Sequence, residues 1–173
     1  MTTPLVVLDP TAGAATRSVQ LVARPTSFAG LSVGWLDNGK PNSDRVLALL
    51  GERFADEGHR EDVVRRKPNI GRVAPAALID ELAKRCDVVV TGVGDCAGCC
   101  SCTVQDAIAL ERRGVPTYVV VTSELVTIAR IAATAAGVPE YPLVVIDHPL
   151  GALDPGRLAQ RAVQAHEQIV GSR

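Results

Sequence analysis

Aromatic residues are scarce: one Trp, two Tyr and two Phe in 173 residues. These rings do not interleave with the basic residues, and 18 Lys plus Arg nearly balance 19 Asp plus Glu. The chain therefore lacks both the stacking platforms and the positive surplus of a nucleic-acid partner. No apolar run approaches the roughly 20 residues of a membrane span, and Met1-Thr2-Thr3-Pro4-Leu5 has no basic segment leading into an apolar one. No membrane partner is expected. Internal repeats, low-complexity tracts and linkers are also missing. Cysteine is sparse except in one place, since four of the five lie between positions 96 and 102. A disulfide framework spreads its cysteines to close loops, so this arrangement points to catalytic or metal-binding thiols in a reducing compartment, and a cytoplasmic location is expected.

What is present is apolar content, 47% of residues, enough to bury a core. Short β-branched runs alternate with helical patterns, which predicts an α/β fold: one three-layer domain over residues 1–173 with a mostly parallel central sheet, Rossmann-like or flavodoxin-like. The strand candidates are Leu5 to Leu8, Leu31 to Leu36, Asp87 to Val93, Thr117 to Thr122 and Leu143 to Asp147. The all-apolar triplets Val88-Val89-Val90 and Val119-Val120-Val121 belong at the centre. Helices are expected after Asn42, from Pro75, from near Thr103, around Leu125 to Ala135, and from Asp154-Pro155. Val19 to Ala23 reads as an extra strand or a loop. Residues 59–74 read as irregular, with Arg65-Arg66-Lys67 a solvated charge run rather than an anion contact.

The cluster Cys96-Ala97-Gly98-Cys99-Cys100-Ser101-Cys102 is expected on the loop between the strand ending at Val93 and the next helix. In an open α/β sheet this is where ligands gather. Free N–H groups and partial positive charge at a helix N-terminus favour thiolate over thiol. Cys96 and Cys99 have the spacing of a dithiol that closes into a small disulfide ring or holds one metal ion. Gly92, Gly94 and Gly98 let the backbone turn sharply, whether to approach a ligand or only to join strand to helix. A phosphate loop is poorly matched, because position 97 is Ala and no lysine follows. Cys86 opens a strand and reads as a buried, inert thiol.

Other strand ends bring polar residues to the same edge. Thr11, Asn38 and Lys40 are candidate substrate contacts together with Gly94 and Gly98, and Lys40 could steady a thiolate or a substrate carboxylate. His148 could pass protons. Asp95 would oppose ionisation of a neighbouring thiol, so proton transfer or backbone positioning suits it better. For Asp37, Asn38 and Asn42, a role as turn residue or helix cap weighs equally with function. His59 and His166 read as surface residues.

Several stretches carry a family resemblance: Leu8-Asp9-Pro10, Gly34 through Asn42, Gly92-Val93-Gly94-Asp95-Cys96, Asp106-Ala107, Glu111 through Thr117, and His148-Pro149. With them the chain resembles the UGSC-like thiol or selenoproteins, named for a Sec/Cys-Gly-Ser-Cys motif and related to the selenocysteine-bearing substrate subunits of glycine and proline reductases. The resemblance places Cys96 at the Sec or Cys position and Cys99 at the second cysteine. Ala97-Gly98 departs from Gly-Ser, and Cys100 and Cys102 are additions.

The resemblance implies thiol-based reductive chemistry, with Cys96 attacking and Cys99 resolving. The first expectation is accordingly a thiol-dependent oxidoreductase acting on a small molecule, with an external dithiol as reductant and Asp95, Asp106 and His148 as further catalytic candidates. A second expectation is a metalloprotein holding iron, cobalt or zinc through Cys99, Cys100 and Cys102, with or without Cys96. Cys100-Ser101-Cys102 resembles the Cys-Ser-Cys claw of nitrile hydratases, although that claw needs a further cysteine where this chain has Ala97; an iron–sulfur cluster is the other form, although four ligands this close in sequence would strain around it. A third is a non-enzymatic thiol or metal sensor. The sequence admits a homo-oligomer.

Overall fold

The computed structural model describes residues 19–172. The strand expected at Leu5 to Leu8, the Leu8-Asp9-Pro10 stretch and the substrate contact expected at Thr11 lie outside the described residues.

Among the described residues five strands alternate with helices: β1 (Ser32–Asp37), α1 (Ser43–Phe54), β2 (Glu61–Arg66), α2 (Ala76–Arg85), β3 (Val88–Gly94), α3 (Ala97–Glu111), β4 (Thr117–Thr122), α4 (Val126–Ala135), β5 (Leu143–Ile146) and α5 (Pro155–Gly171). All neighbouring strand pairs are parallel, in the order β2-β1-β3-β4-β5. This is the flavodoxin-like order, whose switch point lies between β1 and β3.

The sheet is covered on both faces. Val88 and Val90 of β3 with Tyr118 and Val120 of β4 pack against Val46, Leu50 and Phe54 of α1 and Leu158, Ala162 and Ala165 of α5. On the opposite face Val119 and Val121 meet Val104, Ala107 and Ile108 of α3 and Ala129 and Ala133 of α4. Val89 and Leu36 meet Ile79 and Leu82 of α2. Because successive strand residues point to opposite faces, a strand covered on both sides must be apolar throughout. The valine triplets of β3 and β4 accordingly occupy the third and fourth of the five positions.

Two local expectations are corrected and one open alternative is resolved. Residues 61–66 form a strand rather than an irregular segment. Only Val63 is fully buried there, since β2 is an edge strand whose Glu61, Asp62, Val64 and Arg66 face solvent. Val19 to Ala23 is not a strand; the Val22 amide donates to Glu111 Oε2 at 2.8 Å, and Arg24 pairs with Glu111 Oε1 at the same distance. Finally, α3 starts at Ala97 and not near Thr103, so the cysteines stand on the helix instead of a loop.

Candidate active site

Cys96 is the N-cap of α3, extended at φ −153° and ψ 157°. Cys99 occupies the third helical position, which places a side chain opposite the N-cap amide. The Cys96 amide donates to Cys99 Sγ at 3.1 Å, and the Cys99 amide donates to Cys96 Sγ at 3.4 Å. Two thiols thereby take the reciprocal positions that Ser/Thr and Glu/Gln usually hold in a capping box. Cys99 Sγ also lies 3.2 Å from the Cys96 carbonyl oxygen, to which its thiol hydrogen can be given. Cys96 is half-buried and Cys99 is 1% exposed.

The remaining thiols diverge, because each helical residue turns the next by about 100°. Cys100 is buried against Gly94 and Val121, its Sγ 3.6 Å from the Leu125 carbonyl. Cys102 is half-buried. Burial pushes the Cys99 thiol up to about 11, helped by its bond with Cys96, and pushes Cys100 up to about 12. Burial also raises Cys102, against the pull of nearby Lys67. Among the described residues no group of three or more His, Cys, Asp and Glu side chains is placed to hold a metal ion. Cys99 and Cys102, three positions apart, share a face of α3, whereas Cys100 points into the sheet between them.

Asp95, the residue before Cys96, collects the other strand ends. Its carboxylate is 4% exposed. Lys40, from the loop after β1, brings Nζ to 3.5 Å from Oδ2. His148, beyond β5, brings Nδ1 to 3.0 Å from Oδ1, and the Leu150 amide donates to the same oxygen at 3.2 Å. Thr122, at the end of β4, places Oγ1 3.0 Å from His148 Nδ1 and donates to the Gly94 carbonyl at 3.3 Å. Charge and hydrogen bonds thus join the carboxyl ends of β1, β3, β4 and β5 at the root of Cys96.

Asn38 is fully buried and frames the site. Its Nδ2 donates to the Val93 carbonyl at 2.8 Å and to Thr103 Oγ1 at 3.0 Å, while its Oδ1 accepts from the Lys40 amide at 3.0 Å. Ser43 Oγ accepts from the Val93 amide and donates to the Gly92 carbonyl, each at 2.7 Å. Gly94 is a packing requirement: a Cβ there would sit 3.1 Å from Cys100 Cα, Cys100 Sγ and Val121 Cγ1. Gly98 is exposed, and a Cβ there would meet nothing within 4 Å. It lines a cleft of about 1040 Å³ along α3, together with Ala97, Ser101, Ile128 and Ile131.

Asp106 does not reach the Cys96–Cys99 pair, although its charge acts on Cys102 one turn before it. It lies on α3 about 15 Å beyond Cys96 at 1.5 Å per residue, 1% exposed, with Lys67 Nζ and the Ala74 amide each 2.6 Å from one of its oxygens. Burial, the larger effect, pushes its carboxyl up while Lys67 and the amide pull it down. The pair ties the segment after β2 onto α3. Of the basic run, Lys67 is therefore interior, Arg65 pairs with Glu81, and Arg66 Nε lies 3.4 Å from Asp37 Oδ2.

Sequence reasoning missed Lys67 and the Leu150 amide as partners of these carboxylates. Strand parity held a signal for Lys67, which follows Val63 by four residues and continues the ladder through its amide to the Asp37 carbonyl at 2.9 Å. Nothing local marked Leu150.

No curated protein matches this chain. The family comparison does match: three of the stretches singled out in the sequence, Gly34 through Asn42, Gly92 through Cys96, and His148-Pro149, meet at this one edge of the sheet, and the match runs over residues 6–172. The chain belongs to the UGSC family.

Proposed function

We propose that the protein is a thiol-dependent redox enzyme that reduces a small molecule through the Cys96–Cys99 pair. The observation that carries this reading is the reciprocal capping of the two thiols at the start of α3, one half-buried and reachable, the other enclosed behind it. A thiolate at Cys96 attacks one atom of a reducible bond X–Y, forming S–X while Y leaves with the bonding pair and takes a proton. Cys99 then attacks Cys96 Sγ, forming the disulfide and releasing X with the second pair and the Cys99 proton. Two thiols and X–Y become one disulfide, X–H and Y–H, and an external dithiol restores the pair by exchange.

The high Cys99 value suits the second role, since a thiol that stays protonated near neutrality does not compete as first nucleophile. Iodoacetamide tests the assignment. Modification is expected first at Cys96, as mapped by peptide mass spectrometry, and the modified protein should no longer oxidise dithiothreitol in the presence of a small disulfide. Full dithiol oxidation by protein alkylated at Cys96 would rule the mechanism out.

A further inference from the structure

We infer that His148 is the proton carrier of this site, working through Nε2 and held in place by Asp95 as a positioning residue. The inference rests on the dithiol reading and adds what that reading leaves unassigned, namely where the proton of the leaving atom Y comes from.

The hydrogen-bond pattern selects the tautomer. Thr122 Oγ1 gives its hydrogen to the Gly94 carbonyl, so toward His148 Nδ1 the hydroxyl oxygen can only accept. Asp95 Oδ1, 3.0 Å from Nδ1, is a carboxylate oxygen that accepts from the Leu150 amide. Both neighbours of Nδ1 are acceptors, which puts the ring hydrogen on Nδ1. Nε2 of the neutral ring is left with a free lone pair. The Asp95 carboxylate stands 3.0 Å from Nδ1, where it orients the ring and holds this tautomer.

The Asp95 carboxylate is buried and paired with Lys40, so it is balanced when the ring is neutral and gains a second positive partner when the ring is charged. Asp147, the chain neighbour, is engaged by Arg161 at 3.1 Å, and the His148 amide donates to Ser123 Oγ at 3.3 Å. The His148 side chain is 33% exposed, so the ring has an open side. In the reaction, Nε2 takes the proton from the Cys96 thiol, which yields the attacking thiolate, and gives it to Y as X–Y breaks, leaving the ring neutral and the atom balance unchanged.

Two disulfide probes of different leaving-group basicity test this. Reduced protein is mixed with bis(2-hydroxyethyl) disulfide, whose leaving thiolate needs a proton, and with 5,5′-dithiobis(2-nitrobenzoate), whose leaving thiolate does not. Oxidation rates are followed from pH 5 to 9, and the Cys96–Cys99 disulfide is identified by mass. His148→Asn is expected to lower the ratio of alkyl to aromatic rate about a hundredfold, in line with the 10²–10⁴ typical of general acid catalysis. Asp95→Asn should lower it in the same direction and, by removing the carboxylate, shift the pH profile of the alkyl reaction. Should His148→Asn unfold, as judged by circular dichroism, Asp95→Asn carries the same test. An unchanged ratio, with both probes slowed equally or neither slowed, overturns the role of His148 while the disulfide still forms. Absence of the Cys96–Cys99 disulfide in wild-type protein overturns the dithiol reading and this inference with it.

Discussion

Cys96 and Cys99 each accept a hydrogen bond from the other's backbone amide, at 3.4 and 3.1 Å, across the first turn of α3. The bonds that begin the helix are therefore the bonds that hold the two sulfur atoms on the same side of it. Replacing either sulfur changes the cap and the chemistry together. Cys99→Ser keeps a hydroxyl for the Cys96 amide while removing the resolving thiol. With oxidised glutathione this variant is expected to accumulate a mixed disulfide at Cys96, whereas the wild type passes through it to the internal disulfide. Intact-mass measurement separates the two; rapid release of glutathione by the variant would show that Cys99 is not the resolving thiol.

The Lys67–Asp106 pair makes a different prediction, because both side chains are out of solvent. Lys67→Met leaves a buried carboxylate with only the Ala74 amide, and breaking a buried pair in this way costs about 3–5 kcal/mol. Adding Asp106→Leu should recover part of that loss. Urea unfolding of the two variants measures it, and equal stability of Lys67→Met and wild type would contradict the enclosed geometry.

Packing at Gly94 gives a third test. A methyl group there would press on Cys100 Cα and Sγ and on Val121, all at 3.1 Å. Gly94→Ala must lift α3 from the sheet, and overpacking of this kind costs about 1–3 kcal/mol. The same movement displaces the N-cap, so the rate of Cys96 alkylation should change along with the urea midpoint. A fully stable variant with unaltered alkylation would show that α3 has room to spare.

Thiol burial makes the fold less stable at alkaline pH. Burial raises Cys86 and Cys99 to about 11 and Cys100 to about 12, against 9.0 for a free thiol. Below pH 9 these groups are protonated whether the chain is folded or not, and they add no pH dependence. Between pH 9 and about 11 the unfolded chain loses protons that the folded one retains, so stability falls as pH rises, by up to about 1.4 kcal/mol per pH unit for each thiol. Chemical denaturation at pH 8 and pH 10.5 should show the decline, and Cys100→Ala should reduce its slope.

Much of the scaffold was legible because its strands are covered on both faces. Val88-Val89-Val90 and Val119-Val120-Val121 can only be central, and Asp154-Pro155 marks the start of α5 through an N-cap bond to the Arg157 amide. β2 escaped because an edge strand needs few apolar residues, and Glu61-Asp62-Val63-Val64-Arg65-Arg66 buries only one of them fully. The start of α3 was misplaced because Gly98, Ser101 and a run of cysteines have modest helix propensity, which burial of Cys99, Cys100, Thr103 and Val104 overrides. The Cys96-x-x-Cys99 spacing was visible, and with the helix placed from Ala97 it becomes N-cap and third position. The ties from Asp95 to Lys40 and His148 and from Asp106 to Lys67 join residues far apart in sequence. They exist only once the parallel strands set their ends side by side.

The central claim is that Cys96 and Cys99 form one redox couple. Equilibrating the protein across a series of dithiothreitol redox ratios, quenching with an alkylating agent and mapping the thiols by peptide mass spectrometry reads it directly. The account predicts one reversible two-electron transition in which a Cys96–Cys99 disulfide appears while Cys86, Cys100 and Cys102 stay alkylatable after denaturation. Five thiols that remain reduced throughout, or a disulfide that joins Cys100 or Cys102 in place of this pair, would contradict it.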